Sequence, residues 1–454
     1  MPGVLFAGPF DFIVSTQNGA TLSDTSARVT AMNMNNSDDE TEKCIDVLRN
    51  AGLDEAEATL VTQWRQAKTD RTALAPLRRF ADRQWRQLEL SDIETTRERR
   101  EAGVALAFAV TAAVVIKLPD LMGIAIERED VFYARNLSLF AFPMVAGFFL
   151  WVSGASTRTW LLLAAAFVAA AIVVNQPWFA RGGDFDALTG LHLPIALWLA
   201  VGVAHAGGRW NDVGARMAFV RFAGGMFIFC VLVALGGMVF TALMMALFES
   251  IGMSLQVFFE RWLLPCGAMA AVVIAAWQVD ARQHVLGLIA PLLTRLFTPL
   301  FTLLLVAFLI AIPASGRGLE FHRELIFALD VVLAVVLGLV LYALSARDPE
   351  RGPGPFDALQ CMLVIAALLV DAAVLWTMAA RISEFGFTPN RVAALGMNLV
   401  LLVNLSWSAL LCFRFVRGSG EIAALVRWQM RYLPVHATWA ALVVVVLPLV
   451  FPRS

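Results

Sequence analysis

Asp330 and Asp371 interrupt two consecutive apolar runs, Glu324–Leu344 and Phe356–Ala379. A charge at the centre of a bilayer costs about 2.5–3.5 kcal/mol on insertion scales, so an ionisable group inside an apolar span is a default candidate for function. Asp371 lies about fifteen residues into its run and Asp330 about six into the preceding one, which runs the opposite way. At a rise of about 1.5 Å per residue both fall in the same half of the membrane at similar depth. Two carboxylates at one depth suit a shared proton or a bound cation, because like charges held together resist simultaneous ionisation. The structural alternative is hydrogen bonding to neighbouring helix backbone. Arg221 and Arg295, counted the same way, fall in the other half. They suit an anionic substrate or lipid headgroup, or they snorkel to the interface.

Other chemistry is sparse. The loops on the side of the aspartates carry Asp120, Glu127, Glu129, Asp130, Asp184 and Asp186, which could serve as acid and base in a membrane-embedded transferase. These loops are short, with no large domain to hold an acceptor. Arg381, Glu384 and Arg391 frame a further loop and read as a salt-linked helix connection. Asn398, Asn404, Ser406 and Ser408 read as interhelical hydrogen-bond partners. Pro194, Pro265 and Pro299 read as kinks that free backbone carbonyls. The five cysteines are scattered and form no CxxC, and the five histidines are equally dispersed, so no metal site or cofactor is expected. There is no glycine-rich phosphate loop, GxSxG or HExxH, which argues against ATP-driven transport by this chain alone.

The elements that must position these residues are membrane helices. Of 454 residues 59% are hydrophobic and 16% charged, outside the range of soluble domains, and a net charge of −1 gives no reason to expect a nucleic-acid partner. The expected fold is all-α, a polytopic membrane protein of about eleven helices with a small N-terminal helical module. Eleven apolar runs are long enough to cross: Ala102–Leu118, Leu137–Ser153, Thr159–Val174, Leu191–Ala206, Arg221–Phe248, Trp262–Val279, Leu288–Ile312, Glu324–Leu344, Phe356–Ala379, Arg391–Phe413 and Pro434–Phe451. Ten or twelve remain open, because the fifth is long and the first and third are short. In the fifth run, the pairs Gly224-Gly225 and Gly236-Gly237 are places where neighbouring helices can approach closely.

Residues 1–36 read as disordered or as an over-extended start, with Met32 or Met34 as the alternative first residue. Residues 37–100 read as a cytoplasmic helical module. Its helices would begin near Asp54, after Pro76 and at a Ser91/Glu94 capping box, the last running on into the membrane. Arginines crowd the ground just before the first span, which places the N-terminus in the cytoplasm. They face anionic lipid, or they dock a cytoplasmic protein partner. Residues 101–454 form the membrane domain. Within it, Ile422–Tyr432 reads as a basic amphipathic helix lying on the cytoplasmic surface before the last span.

Four strings, FDALTGLHLPIALWLAVGVAHAGG, ALLVDAAVLW, RISEFGFTPNRVAALGMNLVLLVNL and RYLPVHATWAALVVVVLPLVF, resemble the bacterial inner-membrane family called domain of unknown function 4153. The likeness covers roughly Val104 to the C-terminus, and FGFTPNRV is its most distinctive part. The resemblance implies a bacterial polytopic fold and carries over no activity or catalytic residue. From residues and resemblance together, the expectation is a transporter-like or permease-like inner-membrane component with Asp330 and Asp371 as its ion site. A scaffold or sensor that recruits a cytoplasmic partner, and a membrane-embedded transferase, are the alternatives.

Overall fold

The computed structural model describes residues 74–126, 128–176, 184–314, 322–348 and 350–451, with side chains described outside 74–95, 184 and 283–290. The expected disorder of residues 1–36, and the helices expected near Asp54 and elsewhere before Leu74, lie outside the described residues. The chain forms two compact units, Met1–Thr96 and Arg97–Ser454.

Every described element is helical. In chain order these are α1 (Leu74–Leu121), α2 (Asp130–Val152), α3 (Thr157–Val174), α4 (Asp184–His205), α5 (Val213–Ser250), α6 (Gln256–Ala281), α7 (Gln283–Ala314), α8 (Arg323–Ala346), α9 (Pro355–Phe385), α10 (Pro389–Val416), α11 (Ile422–Val445) and a terminal turn, α12 (Leu447–Val450). Eleven helices are long and apolar enough to cross a membrane, among the described residues. Ser91 does not open a helix: α1 runs through it without a break from Leu74.

Short polar signals set the helix starts. Ser156 accepts from the Thr159 amide at the start of α3, and Asp212 accepts from the amides of Gly214 and Ala215 at the start of α5. Asp357 turns back to the Gly354 amide at 2.8 Å at the start of α9. Arg347 fastens the short α8–α9 connection to that cap. Its guanidinium donates to both Asp357 oxygens, at 2.8 and 3.2 Å, and lies over the Phe415 ring.

The second unit has two apolar cores. One joins α1 to α6 around Val145, Phe148, Val201, Phe222 and Val273, and the other joins α7 to α11 around Leu333, Val336, Leu363 and Val370. α4 packs along both α2 and α11, and α5 reaches α6 and α8, so the halves are tied at two seams.

Two expectations change here. The stretch from Ile422 is no separate surface helix. It is the beginning of α11, and it buries Leu425, Gln429 and Met430 between its neighbours. Its apolar face has protein to cover it, which displaces the interfacial placement that amphipathicity alone suggests. The glycine pairs of α5 also divide. Gly224 sits directly under the Tyr342 ring of α8, whereas Gly236 and Gly237 have nothing near them. Residues 231–240 are exposed around the whole helix, and α5 spans 38 residues, about 57 Å at the usual rise.

Candidate functional site

Asp371 sits midway along α9, flanked by Ala367, Val370 and Val374, each fully buried, and is itself 0% exposed. Neither of its carboxylate oxygens has a hydrogen-bond partner among the described residues. Asn398, one helix on, is also fully buried. Its amide nitrogen donates to Asp330 Oδ1 of α8 at 2.9 Å and to the Ala394 carbonyl at 3.0 Å, with the Met378 sulfur at 3.9 Å. Its carbonyl oxygen, Oδ1, is left without a partner.

The two aspartates are thus brought into one interior, between α8, α9 and α10, but no hydrogen bond joins them. Asn398 ties up Asp330, which is half-buried. Among the described residues no lysine, arginine or histidine pairs with either carboxylate. Three buried acceptor oxygens with no donor facing them are costly, since an unpaired buried acceptor loses about 1–3 kcal/mol and an unneutralised charge far more. A proton, a cation or an ordered water removes that cost.

The arginines go elsewhere. Arg221 donates to the Ser345 carbonyl at the end of α8, at 2.7 and 3.3 Å, and so caps the negative end of that helix. Arg295 is exposed on α7. Arg216 was not singled out by the sequence, since the expected span began after it. α5 begins earlier, at Val213, and Arg216 donates to the Met430 carbonyl of α11 at 2.7 Å and stacks over Trp210.

The loop carboxylates are largely engaged. Asp186 pairs with buried Arg135 at 2.8 Å, and Asp120 pairs with buried Lys117, while Glu129 and Asp130 are exposed. Glu127 and the side chain of Asp184 lie outside the described residues. The expected salt link around FGFTPNRV takes another form: Arg391 donates to the carbonyls of Phe385 and Gly386, at 3.0 and 2.8 Å, closing the end of α9 where Gly386 turns at φ 75°. Among the described residues no three His, Cys, Asp or Glu side chains gather as a metal site would need.

Four polar residues of the last two helices form a closed network. Asn404 and Gln429 exchange hydrogen bonds at 3.2 and 2.9 Å, Ser408 accepts from Gln429 at 2.7 Å, and His436 lies 3.5 Å from Asn404. These are partners to one another, as expected of Asn404 and Ser408. Gln429 had no signal of its own while it was read as part of a surface helix.

Among the described residues, eleven helices long and apolar enough to cross a membrane fit a multi-pass membrane protein fold, with the unpaired Asp371 carboxyl buried at mid-helix. No protein-family model, curated protein or solved structure matches the chain.

Proposed function

We propose that the protein is a transporter-like or permease-like component of a bacterial inner membrane, and that Asp371 is its ion-binding residue, loaded with a proton or a monovalent cation. One observation carries the reading: Asp371 is completely buried at mid-helix and neither of its oxygens is hydrogen-bonded. A carboxylate kept only for packing acquires donors, as Asp186 does from Arg135 and Asp357 does from Arg347. Asn398 and Asp330 belong to the same site, Asn398 by offering a second acceptor and Asp330 by adding negative charge within reach. The arginines before α1 favour a cytoplasmic N-terminus. The bacterial assignment, and membership of the uncharacterised family named above, rest on the sequence resemblance.

The test is infrared difference spectroscopy on the reconstituted full chain as pH or sodium concentration is stepped. A carboxyl band that responds and that Asp371→Asn removes is the expected result. A spectrum with no responding band, or one unchanged in Asp371→Asn, overturns the reading.

A further inference from the structure

A second site, sharing no residue with the one around Asp371, lies at the α1–α6 contact. Here α1 and α6 meet closely at mid-height, where the Cys266 thiol lies 3.5 Å from the Ala113 carbonyl. Alanines 109, 113 and 270 make a low floor, and Val110 and Val114, both about half exposed, form a rim. The result is an apolar channel of about 360 Å³, open toward the surroundings of the bundle.

Its length and shape select the occupant. The α6 side runs from Trp262 to Ile274, roughly 18 Å at the helical rise, about the depth of one leaflet of a hydrocarbon core about 30 Å thick. The channel's lining is almost wholly apolar and narrow at the alanine positions, a shape that suits one extended hydrocarbon chain.

One end of the channel is closed and cationic. Lys117 is buried there, with its ammonium over the Trp262 ring, 4.4 Å from the centroid. It pairs with Asp120 and donates at 2.8 Å to the Arg261 carbonyl. That carbonyl is available because Pro265 has no N–H to close an α-helical bond to it, and α6 passes through a π turn, Phe259–Leu263, at this point. The Arg261 guanidinium stays nearly half exposed, 3.6 Å from Asp120. With Lys117, Arg261 and one aspartate, the cluster keeps one net positive charge at the end where the α1 helix finishes, beside the membrane surface.

We infer that this channel binds one acyl chain of an anionic phospholipid, with the headgroup phosphate against Arg261 and the tail running along the alanine floor toward Leu106. Charge and shape point the same way: cation at the interface, apolar slot one leaflet deep beneath it. The inference is independent of the reading of Asp371.

The experiment places the full chain in phosphatidylcholine vesicles holding a few per cent phosphatidylglycerol with a photoactivatable acyl chain, then maps the cross-linked peptides. Labelling is expected to concentrate on the α1 and α6 peptides that line the channel. It should fall at least tenfold in Val114→Trp, which fills the slot from its exposed rim, and several-fold in Arg261→Gln. The bare part of α5, residues 231–240, is the internal standard for ordinary lipid contact. Labelling of the channel no stronger than labelling there overturns the proposal. So does a Val114→Trp chain that labels like the parent, or equal labelling by a phosphatidylcholine probe. Should Val114→Trp fail to fold, Arg261→Gln and the choline probe still decide.

Discussion

The side-chain amides of Asn404 and Gln429 face one another across the α10–α11 contact, each donating to the other's oxygen, at 3.2 and 2.9 Å. Such a pair fixes both the register and the rotation of two helices, because sliding or turning either one breaks both bonds. Replacing Gln429 leaves Asn404 with only Ser408 and His436 as side-chain partners and takes the amide donor away from Ser408. Gln429→Leu is therefore expected to destabilise the chain by about 1–3 kcal/mol, while the double change Asn404→Leu with Gln429→Leu recovers part of the loss. Unfolding midpoints in detergent, taken as a double-mutant cycle, check this; additive losses would show that the pair is not coupled.

Asp371→Asn carries the opposite expectation. Neither oxygen of Asp371 has a partner to lose, and the variant removes a buried ionisable group. Its thermal midpoint should equal or exceed that of the parent, while any ion-dependent activity disappears. Asn398→Leu should instead lower the midpoint, with a stability loss of about 1–3 kcal/mol, because Asp330 loses its donor. A strongly unstable Asp371→Asn would mean that the carboxylate is a packing element.

Arg135 and Asp186 form a buried ion pair between α2 and α4. Breaking such a pair from one side leaves an uncompensated charge, so Arg135→Met is expected to cost about 3–5 kcal/mol. Arg135→Met with Asp186→Leu should restore much of that loss. Equal instability of the single and double variants, read by chemical denaturation, would refute the account.

The two glycine pairs of α5 make a contrast inside one helix. A methyl group at Gly224 meets the Tyr342 ring, so Gly224→Ala should lose about 1–3 kcal/mol through overpacking. Gly236→Ala meets nothing and improves helix propensity by about 1 kcal/mol, so it should be neutral or stabilising. A loss at Gly236 of the size expected at Gly224 would point to an additional neighbour for that half of α5.

The helices were readable because hydropathy is nearly one-dimensional: each apolar run long enough to span does so, and eleven were found where eleven were counted. What counting cannot supply is azimuth. Which side of α10 Asn398 presents, and therefore that it binds Asp330 instead of a neighbouring backbone, depends on how three helices rotate against one another. Arg221 shows the same limit, since its partner is a backbone carbonyl 124 positions away that has no sequence signature. Boundaries failed where a polar residue opens a helix: Asp212 caps α5 well before its apolar run, which hid Arg216. Gln429 was missed for a different reason, since an amphipathic stretch looks alike whether lipid or protein covers its apolar side.

The length of α5 has a mechanical consequence. Its apolar stretch from Phe222 to Phe248 covers 27 residues, about 40 Å of helix against a hydrocarbon core of about 30 Å. Such a rod must lean by roughly 40°, or the lipid beside it must thicken, at a cost of a fraction of a kcal/mol for each ångström of mismatch. Residues 231–240 are exposed around the whole helix, so a mismatch there acts on the lipid beside them before it acts on the packed cores. The exposed half of α5 is thus the part of the chain on which membrane thickness would act first, and the close Gly224–Tyr342 approach lies at its packed end.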